Sequence, residues 1–337
     1  MIDIDERYMK RALQLARCGI GGASPNPMVG AVIVDDSGHI IGEGYHRRCG
    51  EGHAEVNAVA SVKDKSALHD STIYVTLEPC SHYGKTPPCA KLIIDSGIPH
   101  VVVGCLDPFA KVSGRGIAML REAGVEVVSG VLEHECRALN RRFMTAHTMK
   151  RPFVTLKWAQ SADGYMDRRR NQDESPEKFS TFTGTTLVHR LRSLHDAITA
   201  GTGTVMADRP RLDVRYWPGG RAPKKVINDR SGRISGYDAL IMSEPDAATM
   251  LQRLYDDGIS SLLVEGGPTM LQSLIDSGLW DDIRIEVSPK CLGEAGAAPA
   301  PALTCGGRIP IPKRVEQLGP NKILYYTNTD CTGVKNL

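Results

Sequence analysis

The stretch STIYVTLEPCSHYGKTPPCAKLIIDSG, residues 71–97, holds both the fold and the chemistry of the first half of the chain. It opens on a run rich in β-branched residues, which is strand material, and closes on CAKLIIDSG, which reads as a helix. Between them stand Cys80 and Cys89 with eight residues intervening, among them His82 and Lys85, and with prolines at 79, 87 and 88. Working outward, VVVGCLD, GIAMLREAG and VEVVSG continue the alternation of strand and helix, the rhythm of a parallel sheet with crossovers. Upstream, MKRALQLARC repeats apolar residues at helical spacing, VGAVIV and HIIGEGYH form a hairpin across DDSG, and AEVNAVASV is a further helix. One α/β domain spanning residues 1–148 is expected.

A basic stretch, NRRFMTAHTMKRP, places the boundary near Lys150, and a second domain is expected over residues 149–337. Its strands are PFVTLKWA, DAITAG, KKVIND, SSLLVEGG, DDIRIEVSP and KILYYTN, with PTMLQSLIDSG as a helix between two of them. The segment GEAGAAPAPAL, residues 293–303, reads as a loop with no regular element. Two domains suit 337 residues of 41% hydrophobic and 24% charged composition.

Composition also removes whole classes of function. The longest apolar runs are far below the roughly 18 residues of a membrane helix, and the N-terminus has no secretory pattern, so a cytoplasmic chain is expected. A net charge of +2 gives no concentrated basic face for nucleic acid. Nine irregularly spaced cysteines in such a chain argue for metal, catalysis or burial over disulfides.

Upstream of Cys80 and Cys89 lies HAEVNAV, with His53 and Glu55. One imidazole and two thiolates are three good zinc ligands, and the open fourth position is the catalytic pattern; His82 is the nearby candidate for closing the site as a structural one. Zinc lowers the pKa of a bound water from about 16 to about 7, and Glu55 is placed to carry its proton. Residues i and i+2 of a helix are roughly 200° apart, so His53 and Glu55 converge only if the zinc sits at a helix N-terminus.

The pattern H-x-E followed by P-C and a second Cys resembles the zinc nucleoside and nucleotide deaminases, whose cysteines are usually two residues apart. The longer loop, with SPNPMVGAVIV (residues 24–34) and GYHRRCGEGHAE (residues 44–55), is similar to the deaminase half of the bifunctional RibD family of riboflavin synthesis. That resemblance implies a cytidine-deaminase-like three-layer domain with one Zn2+ on His53, Cys80 and Cys89, Glu55 as the catalytic proton carrier, and Asn26, His46 and Lys85 lining the substrate pocket. Read by themselves, Asn26 is also a plausible turn residue and Lys85 a solvated loop charge.

In the second half, KWAQSADG, AGTGTVMADRPRLDVR and LLVEGGPTM each take a strand into a turn, two of them through glycines; none contains the G-x-G-x-x-G of a dinucleotide fold. Singly they are ordinary turn chemistry. As a set they resemble the reductase half of the same family, a dihydrofolate-reductase-like α/β fold that uses NADPH, from about Arg151 onward. The resemblance implies NADPH contacts from Ala159, Thr204, Asp208 and the run Gly267, Pro268, Thr269, Met270, Leu271, Gln272 and Ser273. It implies substrate contacts from Ser180, Arg192, Leu212, Arg215 and Glu265, the arginines holding a phosphate by paired hydrogen bonds. Lys157 and Asp208 are polar groups placed to assist the transfer.

The chain departs from the family between Asp167 and Thr186. RRRNQDESPEK fills a loop that is usually shorter, and FSTFTG stands where a serine and a tryptophan are common, so Phe182 is the expected stand-in for a stacking aromatic. The triple arginine reads as a solvated face. The implied activity is deamination of 2,5-diamino-6-(5-phosphoribosylamino)pyrimidin-4-one followed by NADPH reduction of its product to the ribityl compound. The partner is this small phosphoribosyl pyrimidine, with neither nucleic acid nor membrane, and a homo-oligomer is the expected assembly. The alternatives are a zinc deaminase of another nucleotide or a tRNA base whose second domain is not catalytic, and a non-catalytic binding protein with structural zinc.

Overall fold

The computed structural model describes residues 5–83, 87–109, 113–171, 174–304 and 310–328, and the chain parts into two compact units between Met149 and Lys150. The first unit runs α1 (Glu6–Arg17), β1 (Gly30–Asp35), β2 (Ile40–Tyr45), α2 (Ala54–Ser61), a 3-10 turn, β3 (Ser71–Leu77), α3 (Cys89–Asp95), β4 (His100–Cys105), α4 (Arg115–Glu122), β5 (Glu126–Ser129), α5 (Glu133–Leu139) and α6 (Arg141–Met149). Its strand order is β2-β1-β3-β4-β5, antiparallel over the first three and parallel from β3 to β5.

Alternation of side chains along each strand supplies both faces of this sheet with apolar residues. Ala31, Ile33, Ile73, Val75, Val101 and Val103 pack under α2, α3 and α4 through Ala58, Ile93 and Leu120. Val32, Val34, Tyr74 and Val102 pack on the opposite face against Met9 and Leu13 of α1, Cys136 of α5 and Met144 of α6. The result is three layers. Burial of each such aliphatic side chain stabilises the fold by about 1.5–3 kcal/mol. Close approach of α2 depends on Gly44, because a Cβ there would lie 2.4 Å from the Ala54 carbonyl oxygen. That contact sets the start of α2 against β2.

The second unit runs β6 (Phe153–Gln160), β7 (Tyr165–Arg168), α7 (Phe182–Ser193), β8 (Ala197–Thr199), α8 (Thr202–Asp208), β9 (Lys224–Asn228), β10 (Leu240–Met242), α9 (Ala247–Asp256), β11 (Ser261–Val264), α10 (Pro268–Asp276), β12 (Asp282–Val287), a 3-10 turn, β13 (Gly296–Pro299), β14 (Arg314–Leu318) and β15 (Asn321–Thr327). Among the described residues its main sheet has the order β10-β9-β8-β11-β6-β12-β15-β14, parallel as far as β12 and antiparallel beyond it. Leu156, Trp158, Val264, Ile283 and Ile285 pack on one face against Leu254 of α9 and Leu271 and Leu274 of α10. On the other face Ile198, Ala200, Leu263 and Ile227 meet Leu191, Val205 and Leu212.

Residues 293–303 differ from the expected featureless loop. Gly293–Ala295 form a 3-10 turn and β13 pairs antiparallel with β7. Gly296 makes this possible, since a Cβ there would lie 2.5 Å from the Tyr165 ring, and backbone bonds from Arg169 to Ala295 and from Ala300 to Gly164 close the ribbon at 2.8 Å each. Composition spoke against a strand, and a single partner at an edge was enough to make one.

Candidate active sites

His53 is the N-cap of α2, with extended backbone (φ −68°, ψ 170°), and Glu55 is the second residue of that helix, buried to 3% exposure. Cys80 lies in the loop after β3, and Cys89 is the first residue of α3 behind its Pro88 cap. The donor atoms of His53, Cys80 and Cys89 all lie within 4.8 Å of one another. His53 Nδ1 is 3.3 Å from Cys89 Sγ and 3.6 Å from Cys80 Sγ. The opening of α3 clasps Cys80 twice: the Cys89 N–H donates to its sulfur at 3.3 Å and the Ala90 N–H to its carbonyl oxygen at 3.1 Å.

Such a donor set fits zinc in an open, three-ligand site. The Cys89 thiol, hydrogen-bonded to Cys80, draws the Cys80 thiol down to about 4; burial opposes this and His53 adds to it. Its partner Cys89 is pushed upward by Cys80 and by burial. His53 is raised, first by its bond to Cys80. Burial lifts the Glu55 carboxyl to about 7, so at neutral pH it is poised between accepting and giving a proton.

Asn26 and His46 belong to the same neighbourhood. The His46 and His53 rings meet edge to face with centroids 5.4 Å apart. His46 Nδ1 donates to the Gly52 carbonyl at 3.2 Å, which leaves Nε2 to accept from Asn26 Nδ2 at 3.3 Å. Burial lowers the His46 pKa, which agrees with this neutral tautomer. Lys85 lies outside the described residues.

Two further residues hold this site and carry no motif of their own. Glu78, just before Pro79 and Cys80, is 3% exposed, and its carboxylate accepts from the backbone N–H of Gly114 and Gly116, each at 2.9 Å. Asn140 brackets Met28, accepting from its N–H and donating to its carbonyl at 2.8 Å each, which anchors the segment bearing Asn26. A carboxylate inside an otherwise apolar strand end was the visible signal for Glu78; Asn140 offered none.

In the second unit the central residues come from α7, β6, the end of β11 and the loop after α8. Arg192 of α7 grips Glu265, which follows β11, with Nε and Nη2 at 2.7 and 2.8 Å, and its Nη1 donates to the Asp213 carbonyl at 2.9 Å. Lys157 of β6 places Nζ 3.9 Å from the same carboxylate. Burial alone would raise Glu265, but Arg192 and Lys157 outweigh it and hold the carboxyl at about 2. The Arg192 fork is thus filled from within the chain. Arg215, half exposed, pairs with Asp213 at 2.5 Å and stacks over Tyr216. Leu212 is buried with φ +49°.

The glycine turns meet at Gly201 and Gly267, the N-caps of α8 and α10, neither of which has a side-chain cap. A Cβ on Gly267 would lie 3.1 Å from Thr204 Oγ1, and one on Gly201 3.9 Å from the Gly267 nitrogen. Bare amides at two converging helix starts fit the phosphates of NADPH. Pro268, Thr269 and Met270 form the first turn of α10, and Ala159 lies near the end of β6. The side chain of Leu271 points into the core and Gln272 is tied to Asp276 and Ala302, whereas Ser273 is exposed and its carbonyl accepts from Ser277. Ser180 donates to buried Glu286 at 2.9 Å.

Two members of the arginine run, Arg168 and Arg170, depart from the solvated face expected of it, while Arg169 is exposed. Arg170 is 13% exposed and bridges Asp167 at 2.6 Å and Asp208 at 2.5 Å, so Asp208 is engaged by this loop. Arg168 pairs with Glu174 and Glu177. Phe182, 75% exposed, opens α7 with its ring 5.9 Å from that of Tyr216.

Comparison with known proteins adds the family. The model of the RibD C-terminal domain matches residues 152–304, and that of the cytidine and deoxycytidylate deaminase zinc-binding region matches residues 2–105. The riboflavin biosynthesis protein RibD of Aquifex aeolicus is 36% identical over 367 residues, covering 96% of this chain and 98% of its own. That of Escherichia coli is 34% identical, covering 86% and 89%. The crystal structure of a diaminohydroxyphosphoribosylaminopyrimidine deaminase/5-amino-6-(5-phosphoribosylamino)uracil reductase from Thermotoga maritima matches with a TM-score of 0.84 at 36% identity, covering 96% of this chain and 98% of that one. The likeness spans both units in one chain, which disfavours a deaminase with a non-catalytic second domain. This chain belongs to the RibD family, the bifunctional deaminase/reductases of riboflavin biosynthesis.

Proposed function

We propose that the first unit removes the 2-amino group of 2,5-diamino-6-(5-phosphoribosylamino)pyrimidin-4(3H)-one and that the second reduces the resulting aminouracil at its ribosyl carbon. The convergence of His53, Cys80 and Cys89 beside buried Glu55 is the observation that carries the reading. The cofactors of this family are Zn2+ and NADPH: the metal supplies an acidified water for attack on the ring carbon, and the nucleotide supplies reducing equivalents.

In the first unit His53, Cys80 and Cys89 hold the metal. Glu55 takes a proton on its carboxylate and passes it to the departing ammonia, so that water is consumed and a ring carbonyl is left. Neutral His46 and Asn26 orient the pyrimidine, and Lys85, on the loop between the two thiols, meets the phosphate. In the second unit the N-termini of α8 and α10 hold the NADPH phosphates, with Thr204 and the first turn of α10 around them. Arg215, exposed and held to Asp213 through Nη1, takes the substrate phosphate, because the Arg192 side chain, 12% exposed, spends Nε, Nη1 and Nη2 on Glu265 and the Asp213 carbonyl. Arg192 then serves to fix Glu265 and, through it, Lys157, with Leu212 and Ser180 beside the sugar.

No helix among the described residues is long and apolar enough to cross a membrane. The reading places the enzyme in the cytoplasm as a homo-oligomer, which sedimentation of the purified protein tests. The activity is tested by giving zinc-loaded protein the diaminopyrimidine ribosyl phosphate and following ammonia and NADPH together. Ammonia release preceding NADPH loss supports the assignment; NADPH loss without ammonia, or neither, overturns it.

A further inference from the structure

β6 and β12 are parallel neighbours with Arg284 opposite Lys157 and Glu286 opposite Ala159, and Tyr325 of β15 flanks Arg284 on its other side. The Arg284 side chain is 6% exposed; Nη1 and Nη2 are buried and make no hydrogen bond among the described residues. Its nearest carboxylate, Glu286, lies 3.6 Å away and is already engaged, accepting from Ser180 at 2.9 Å and from Asn321 at 2.7 Å. A buried guanidinium with an unfilled fork is costly, and like charges side by side on neighbouring strands repel. An apolar residue of similar size would fill this place at lower cost. What the arginine adds is a charge next to Lys157.

Lys157 is faced by Glu265 beyond β11, by Arg192 of α7 and by Arg284 and Glu286 of β12. We propose that Arg284 is a positioning residue of the reductase site: it drives the Lys157 ammonium away from β12 and against Glu265, and so fixes where the remaining N–H groups of Lys157 point. The inference rests on the assignment of Lys157 and Glu265 to that site. Burial already presses Lys157 towards its neutral form, and Arg284 and Arg192 press the same way while Glu265 and Glu286 oppose them. Arg284 therefore bears on both the orientation and the proton affinity of the lysine.

The test uses the full, zinc-loaded chain with the aminouracil ribosyl phosphate and NADPH, comparing wild type with Arg284→Met, which keeps the bulk, and Arg284→Lys, which keeps the charge. Arg284→Met is expected to lower the kcat of NADPH oxidation by about tenfold, with KM for NADPH held within about twofold. The pH inflection of kcat should move upward, since a neighbouring positive charge has been removed from Lys157. Arg284→Lys should restore most of both. Thermal unfolding shows whether each variant is folded. An unchanged kcat and inflection in folded Arg284→Met overturns the proposal. So does a loss that leaves the inflection in place and that Arg284→Lys shares, the mark of packing alone. A wild-type chain that oxidises no NADPH with this substrate takes down the underlying assignment as well, and shows itself without any variant.

Discussion

The two sites are built on opposite plans. The deaminase site gathers its donors at the starts of two helices, His53 before α2 and Cys89 at the head of α3, with Cys80 on the loop between, all within 37 consecutive residues. The proposed reductase site is a line of charges laid across a sheet, from Arg192 through Glu265 to Lys157 with Arg284 in register beside it, drawn from α7, the end of β11, β6 and β12. A metal imposes its own valence on a short stretch of chain. A charge row has no such template and exists only once strands have found their register.

The difference can be broken open by removing what each plan depends on. Stripping the metal with a chelator should abolish ammonia release while NADPH continues to reduce supplied aminouracil ribosyl phosphate, and added zinc should restore the first; joint loss would show that the two sites are not separable. Next in size, Glu55→Gln should keep zinc, read by metal analysis, and lower ammonia release by about 10²–10⁴-fold with the reductase unaffected.

Removal of a charge from the row should act on stability as well as rate. Glu265→Gln leaves Arg192 and Lys157 buried without their counter-charge and should cost about 3–5 kcal/mol in thermal or denaturant unfolding of the second unit. The carboxyl of Glu265 is held at about 2 against an ordinary 4.5. Since the folded value is the lower one, its stabilisation is complete above about pH 4.5 and is lost as the pH falls towards 2. An acid-unfolding curve in that window that Glu265→Gln leaves unchanged would refute the link.

Smaller effects sharpen the contrast. Gly267→Ala has an accessible backbone (φ −70°) but sets a methyl 3.1 Å from Thr204 Oγ1 between the two helix starts. KM for NADPH should rise by about tenfold, equivalent to about 1.4 kcal/mol, with deamination untouched. Smallest is Thr181→Ala, which removes the side chain that caps α7 through the Gly184 N–H at 3.1 Å and should cost about 1 kcal/mol of stability.

Much of this molecule was legible before folding, for reasons that follow the same contrast. The strand runs beginning at Ser71, Val101 and Val125 announced themselves by β-branched residues, and they are β3, β4 and β5. The donors His53, Cys80 and Cys89 are identifiable because few combinations of imidazole and thiols at such spacing have another use. Asn140 was not legible and the lone carboxylate of Glu78 did not disclose its role, since they act through backbone amides 112 and 36 residues away. Nor was the engagement of Arg192 by Glu265, or the neighbourhood of Lys157 and Arg284, because β11, β6 and β12 are adjacent in space and scattered in sequence. Arg170 was misread for a related reason: in sequence it is one of three arginines, and its partner Asp208 lies 38 residues on.

Glu78 has a consequence for the order in which the enzyme matures. Its carboxylate reaches across to amides at the head of α4, so the turn that presents Cys80 is tied to a helix made only after β4. A nascent chain that has emerged as far as Cys89 owns every donor and not yet the brace that aligns them. Metal capture by this domain is therefore expected to follow the docking of α4 rather than the synthesis of the ligands, an order that zinc binding by chains truncated before and after α4 would test.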